Sequence, residues 1–167
     1  MKKNTTPSQD TNAPPPAIGS DRVIAYAVAD KNVRFTGQQR LFVGDKLLGR
    51  VPKIAICRSL REDLKDYLIL YCSKNWKVLG VTGSKSLSSA KREVERCYAG
   101  TSSKWVNVNT SEKTAKLWLA QKYPRDICSF CGQFSYEVEA LFPAPSATIC
   151  SSCVEAFSRE LKPQRSS

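Results

Sequence analysis

Cys128-x-x-Cys131 and Cys150-x-x-Cys153 stand eighteen residues apart in a chain of 167 residues that contains no histidine. Four thiols in two short pairs make a donor set for one soft or borderline metal ion, because each Cys-x-x-Cys turn aims both sulfurs at one point. Zinc suits the set, and iron fits the same four sulfurs. Four protein ligands leave no open coordination position, so such a site is structural rather than catalytic. A thioredoxin-like redox centre uses one pair after a strand in a βαβ unit, which is a different pattern. A disulfide framework also fits poorly, because the cysteines number seven and disulfides are rare in a reducing compartment.

The first twenty residues, "MKKNTTPSQDTNAPPPAIGS", turn polar and Pro-rich after two lysines. They lack the apolar stretch of a secretory signal, so the expectation is a cytoplasmic protein with a disordered tail over 1–20. A short tail over 163–167 is expected to be disordered as well. No apolar run approaches the roughly 20 residues of a membrane helix, so no membrane partner is expected. Cys57, Cys72 and Cys97 lie singly among apolar residues and read as small buried hydrophobes.

Between the tails the pattern predicts an α+β fold: a small mixed sheet domain with two helices over 21–123, then a treble-clef-like module with four metal-binding cysteines over 124–162. "RVIAYAVA" and "KIAIC" read as strands, and "DYLILYCS" with "WKVLGVTG" as a hairpin. Leu87, Ala90, Val94, Cys97 and Tyr98 recur at helical spacing, with Ser88 or Ser89 as the expected cap and Gly100 as the stop. "KWVNVN" reads as a strand, and "SEKTAKLWLAQKY" as a second helix ended by Pro124. In the module, Gly132 suits the tight turn after the first pair. The second pair opens a helix whose first turn holds Cys153 and whose Val154, Phe157 and Leu161 share one face.

The module's sequence, "CSFCG…EV..L..APS..ICSSCV", closely resembles the C4-type zinc-binding domain of the ClpX protein unfoldase. The resemblance covers about 127–161 and is carried by the eighteen-residue gap, Ser129, Phe130, Gly132, Glu137, Val138, Leu141, Pro145, Ser146, Ile149 and Val154. It implies one zinc ion per chain held by Cys128, Cys131, Cys150 and Cys153. It also implies a homodimer and docking of a protein partner, with Phe130, Phe134, Leu141 and Phe142 as candidates for that surface. In ClpX the module precedes an ATPase; here it follows the α+β domain, and the chain has no Walker motif. "GVTGSKS" misses the P-loop spacing because Ser84 separates Gly83 from Lys85. With no histidine for general-base or nucleophile pairs, the expectation is a non-enzymatic protein.

Charge adds a second reading. Of the net charge of +11, ten units reside in 21–118, which hold nineteen basic and nine acidic residues, whereas 119–167 hold five of each. Arg34, Arg40, Lys46, Arg50, Lys53, Arg58 and Arg61 cluster with Phe35 and Phe42, as backbone contact and base stacking with nucleic acid require. Glu62, Asp63 and Asp66 read as a solvated charged turn.

Overall fold

The computed structural model describes residues 12–38, 41–61 and 63–161, and the chain divides into two compact units after Glu112. The first unit runs β1 (Ala17–Ile18), β2 (Asp21–Val28), β3 (Arg34–Phe35), β4 (Phe42–Val43), β5 (Lys46–Leu47), β6 (Lys53–Ser59), β7 (Tyr67–Cys72) and β8 (Val78–Ser84). Then come α1 (Leu87–Cys97), β9 (Tyr98–Ala99) and β10 (Val106–Asn107). Its main sheet is antiparallel in the order β1-β2-β6-β7-β8, with β10 also paired to β2. A register shift between Val23 and Ala25 leaves Ile24 as an extra residue, and such a bulge raises the local twist and helps the sheet to curl.

The expected tails need one correction. Ala17 and Ile18 are buried and pair with Arg22 and Asp21, so the end of the 1–20 stretch belongs to the sheet. The rest of that expectation over 1–11, and the one over 163–167, lie outside the described residues.

Both faces of this sheet are apolar. Strand alternation puts Ile54, Ile56, Ile69 and Tyr71 on one face and Val23, Ala55, Cys57 and Leu70 on the other. That is why β6 and β7 read as nearly continuous hydrophobic runs rather than as alternating ones. Helix α1 covers the first face with Ala90, Val94 and Cys97. Tyr98 follows directly, its ring 5.0 Å from Phe35 and 6.2 Å from Tyr71. Cys57, Cys72 and Cys97 are buried. Burial pushes all three thiols up, that of Cys72 to about 12, so they behave as inert packing groups.

The cap of α1 differs from expectation. Ser86, not Ser88 or Ser89, is the N-cap, its hydroxyl accepting from the Ser89 amide at 3.1 Å. Ser88 and Ser89 already lie inside the first turn. The end differs as well: Tyr98 is the C-cap and turns at once into β9. Gly100 comes two residues later, at φ +98°, where a Cβ would lie 2.9 Å from the Asn32 carbonyl oxygen.

Glu95 holds this corner. Its carboxylate accepts from the Gly100 amide at 2.7 Å, the Ser102 amide at 2.6 Å and the Thr101 hydroxyl at 2.9 Å. Partial burial opposes the charge, but these bonds outweigh it and hold the Glu95 pKa below its ordinary value. A depressed folded pKa contributes stability above the unfolded value of about 4.3 and loses it as pH falls through the lower folded value. Glu95→Gln should therefore cost about 1–3 kcal/mol at neutral pH, and the gap to wild type should close in acid. Urea unfolding at both pH values checks this; an equal gap at both would contradict it.

Hairpin β7–β8 turns through Trp76, which sits at φ +62°, a region that bulky residues rarely enter. The ring is buried, edge-on to Tyr26 at 5.7 Å, with the Lys53 ammonium 4.8 Å from its centroid.

The second unit contains the rest of α2 (Glu112–Lys122), a 3-10 turn (Pro124–Asp126), β11 (Leu141–Pro143), β12 (Thr148–Cys150) and α3 (Ser151–Glu160). Helix α2 groups with this unit from Lys113 onward. Its Ala115 and Leu119 are buried, and Lys116 pairs with Glu137 at 2.9 Å. Among the described residues no helix is long and apolar enough to cross a membrane.

Candidate metal centre

The four paired cysteines arrive from three local structures. Cys128 and Cys131 flank a tight turn in which the Gly132 amide donates to the Cys128 carbonyl at 3.0 Å and the Cys128 amide to the Gln133 carbonyl at 2.8 Å. Gly132 has φ +76°, which explains glycine at that position. Cys150 ends β12, and β11–β12 form the hairpin between the pairs, closed by Ala144 donating to Ala147 at 2.7 Å. Cys150 is also the N-cap of α3: its sulfur accepts from the Cys153 amide at 3.4 Å. Cys153 thus sits in the first turn, where the helix dipole favours a thiolate.

All four Sγ atoms lie within 4.8 Å of one another. Cys128 and Cys153 are 3.9 Å apart, and Cys131 and Cys150 are 3.6 Å apart. A tetrahedron with metal–sulfur bonds of about 2.3 Å has edges of about 3.8 Å, so the set fits a tetrahedral zinc ion. The Cys150 amide donates to the Cys128 sulfur at 3.4 Å, offsetting part of the thiolate charge. The centre takes one zinc ion, whose chemistry here is structural cross-linking of the knuckle, the hairpin and the helix.

Surrounding residues brace this geometry. The Ser129 amide donates to the Thr148 carbonyl at 2.7 Å, and the Ser129 hydroxyl accepts from the Thr148 amide at 3.0 Å. Glu137 accepts from the Phe134 amide at 2.9 Å.

Zinc ligation requires the thiols to lose their protons. Without metal, burial opposes ionisation of Cys128, but amide hydrogen bonds from Cys131, Phe130 and Cys150 prevail and bring it to about 6. At Cys131 the backbone of Gln133 pulls downward, yet burial and the neighbouring sulfurs of Cys128 and Cys150 leave it raised. Burial and the three other sulfurs push Cys153 up to about 12. Zinc binding at neutral pH therefore expels at least the protons of Cys131 and Cys153. Affinity should rise about a hundredfold or more per pH unit near neutrality, read by competition with a chromophoric chelator. A pH-independent affinity would contradict this.

The surface candidates separate. Phe130 and Phe142 are 59% and 50% exposed, and Leu141 is half-buried. Phe134 is corrected: it is 5% exposed and stacks on Tyr136 at 5.3 Å, so it belongs to the module's core. Val154, Phe157 and Leu161 of α3 are all exposed.

The basic candidates disperse. Lys53 is corrected: it is 5% exposed beneath Trp76. Arg50 is exposed, with one guanidinium nitrogen donating to the carbonyls of Ala29 at 2.7 Å and Asp30 at 2.8 Å. Arg34 and Lys46 are exposed, on separate two-stranded ladders. Arg40 and Glu62 lie outside the described residues. Asp63 pairs with Arg61 and Asp66 with Lys85 on the surface. Arg58 and Arg61 do meet, in a cleft with Arg22 and Lys65, two residues that are not among the sequence candidates. The signal for Arg22 was strand register, which sets it opposite Arg58 and which spacing along the chain does not display.

Comparison with curated proteins and with solved structures gives no match to this chain. Comparison with protein families matches residues 126–162 to the ClpX C4-type zinc finger. The cysteine geometry and this match agree on the same four ligands, and the second unit is therefore built around a ClpX C4-type zinc finger.

Proposed function

We propose that this chain is a non-enzymatic, cytoplasmic interaction protein whose zinc module pairs with a second copy and docks a protein partner, as an adaptor or accessory to a chaperone or protease system. The observation that carries the reading is the apolar surface on so small a module. Phe130, Phe142, Val154, Phe157 and Leu161 are exposed, Leu161 at 81%. The Phe130 and Phe157 rings meet edge to face at 5.6 Å. Aromatic groups gathered in this way on a soluble protein favour a protein interface. The module's resemblance to the ClpX finger, a module associated with dimerisation and protein docking, supports the same reading.

Sedimentation velocity of the zinc-loaded protein tests it. A dimer is expected, and the double variant Phe142→Ser/Phe157→Ser should retain zinc while its dimer dissociates about a hundredfold or more readily. A monomer at every concentration, or a double variant that dimerises like wild type, contradicts the proposal. Nucleic-acid binding through the basic domain is the weaker reading, because Lys53 is buried and Arg34 and Lys46 stand on separate two-stranded ladders.

A further inference from the structure

A cleft of about 310 Å³ opens on the first unit at the β2–β6 end of the sheet, walled on its apolar side by Leu60 and Leu64. Among the described residues, Arg22, Arg58, Arg61 and Lys65 line it together with one carboxylate, that of Glu112. Arg22 and Arg58 are direct register partners across β2 and β6. Side chains opposed in this way have Cβ atoms about 4.5–5.5 Å apart, and like charges there are destabilising. Their neighbour Asp21 does not relieve them: strand alternation sends it to the other face, where its charge acts on Cys57.

Arg22 and Arg58 are positioned more than they are neutralised. Arg22 gives one N–H to the Thr110 carbonyl at 3.0 Å, out of five guanidinium donors. Arg58 lies with its guanidinium carbon 5.4 Å from the Tyr67 ring centroid; aromatic contact holds a guanidinium without removing its charge. Arg61 meets a carboxylate, in a two-pronged contact with Asp63 at 3.1 and 2.9 Å. A sheet that opposes two arginines and adds a lysine concedes stability at a spot where an anion would restore it.

We propose that the cleft lined by Arg22, Arg58, Arg61 and Lys65 binds the phosphate group of a small phosphorylated molecule. Guanidinium forks match phosphate oxygens in bidentate fashion, and Lys65 adds a point charge. A phosphate monoester carries close to two negative charges at neutral pH, which suits a lining with several cations. The volume is that of a small-ligand site, and Leu60 and Leu64 offer an apolar wall to the rest of the molecule. A nucleic-acid backbone needs a longer cationic track, whereas Lys53 is buried against Trp76 and Arg34 and Lys46 stand on separate two-stranded ladders.

The test uses the zinc-loaded full chain with inorganic phosphate, AMP, adenosine and a single-stranded oligonucleotide as probes. Calorimetry should find AMP and phosphate binding and adenosine failing to bind. Lys65→Gln, whose side chain takes no part in the core, should weaken AMP about three- to tenfold, and Arg58→Gln about tenfold or more. In the absence of ligand Lys65→Gln should melt at the wild-type temperature. The proposal is overturned if AMP and phosphate fail to bind at millimolar concentration or if adenosine binds as well as AMP. It is equally overturned if both variants keep wild-type affinity. An oligonucleotide that binds through these residues while AMP does not would also overturn it, in favour of a nucleic-acid backbone.

Discussion

Cys150→Ser is expected to abolish zinc binding and unfold the second unit, while the sheet of the first unit stays folded. Cys150 is fully buried and holds three local structures together. It ends β12, caps α3 by accepting from Cys153, and donates its own amide to the Cys128 sulfur. Serine keeps the capping chemistry, so the loss isolates the metal. Helix α3 has ten residues and none of them is buried, and a free helix of that length is marginal in water. Binding of a structural zinc contributes about 10–16 kcal/mol to the folding of such modules. The first unit has its own core on both sheet faces and should be indifferent. Amide spectra should show collapsed dispersion for 113–161 with β2, β6 and β7 unchanged, and a chelator should reproduce the effect in wild type. A variant that keeps the module's dispersed signals would contradict this.

The second large effect is expected in the first unit, at Tyr98. Its ring is about 1% exposed among α1, Phe35 and Tyr71, and its hydroxyl accepts from the Val51 amide at 3.1 Å. Tyr98→Ala removes the ring and leaves a cavity, at a cost of about 3–5 kcal/mol. Tyr98→Phe keeps the ring but orphans a buried amide, at about 1–3 kcal/mol. Denaturant unfolding of the pair separates packing from hydrogen bonding. Equal losses in the two variants would assign the whole effect to the hydroxyl and contradict the packing account.

Much of this fold was legible because burial leaves a trace in the sequence, as apolar runs in strands and as helical spacing in α1. The apolar runs of β2, β6 and β7, the hairpin into β8 and the apolar face of α1 all follow from it. The four ligands were legible too, since spacing alone sets what a Cys-x-x-Cys turn can reach. Ladders of two residues, such as β3–β9 and β4–β5, carry no period to read. The cap of α1 was ambiguous among adjacent serines, and only the 3.1 Å bond to Ser89 selects Ser86. Nor does a sequence state what a cation touches: Lys53 lies under an indole, Arg50 on two carbonyls, and Arg58 opposite Arg22. Phe134 and Phe130 look alike in the chain, yet one is core and the other surface, because the turn after Cys131 directs them differently.

The most direct test of the closed zinc centre is X-ray absorption at the zinc edge of untagged protein purified without added metal. One zinc per chain with four sulfur neighbours at about 2.3 Å is the result this account predicts. A metal-free chain, or a zinc surrounded by oxygen or nitrogen with fewer than four sulfurs, would contradict it.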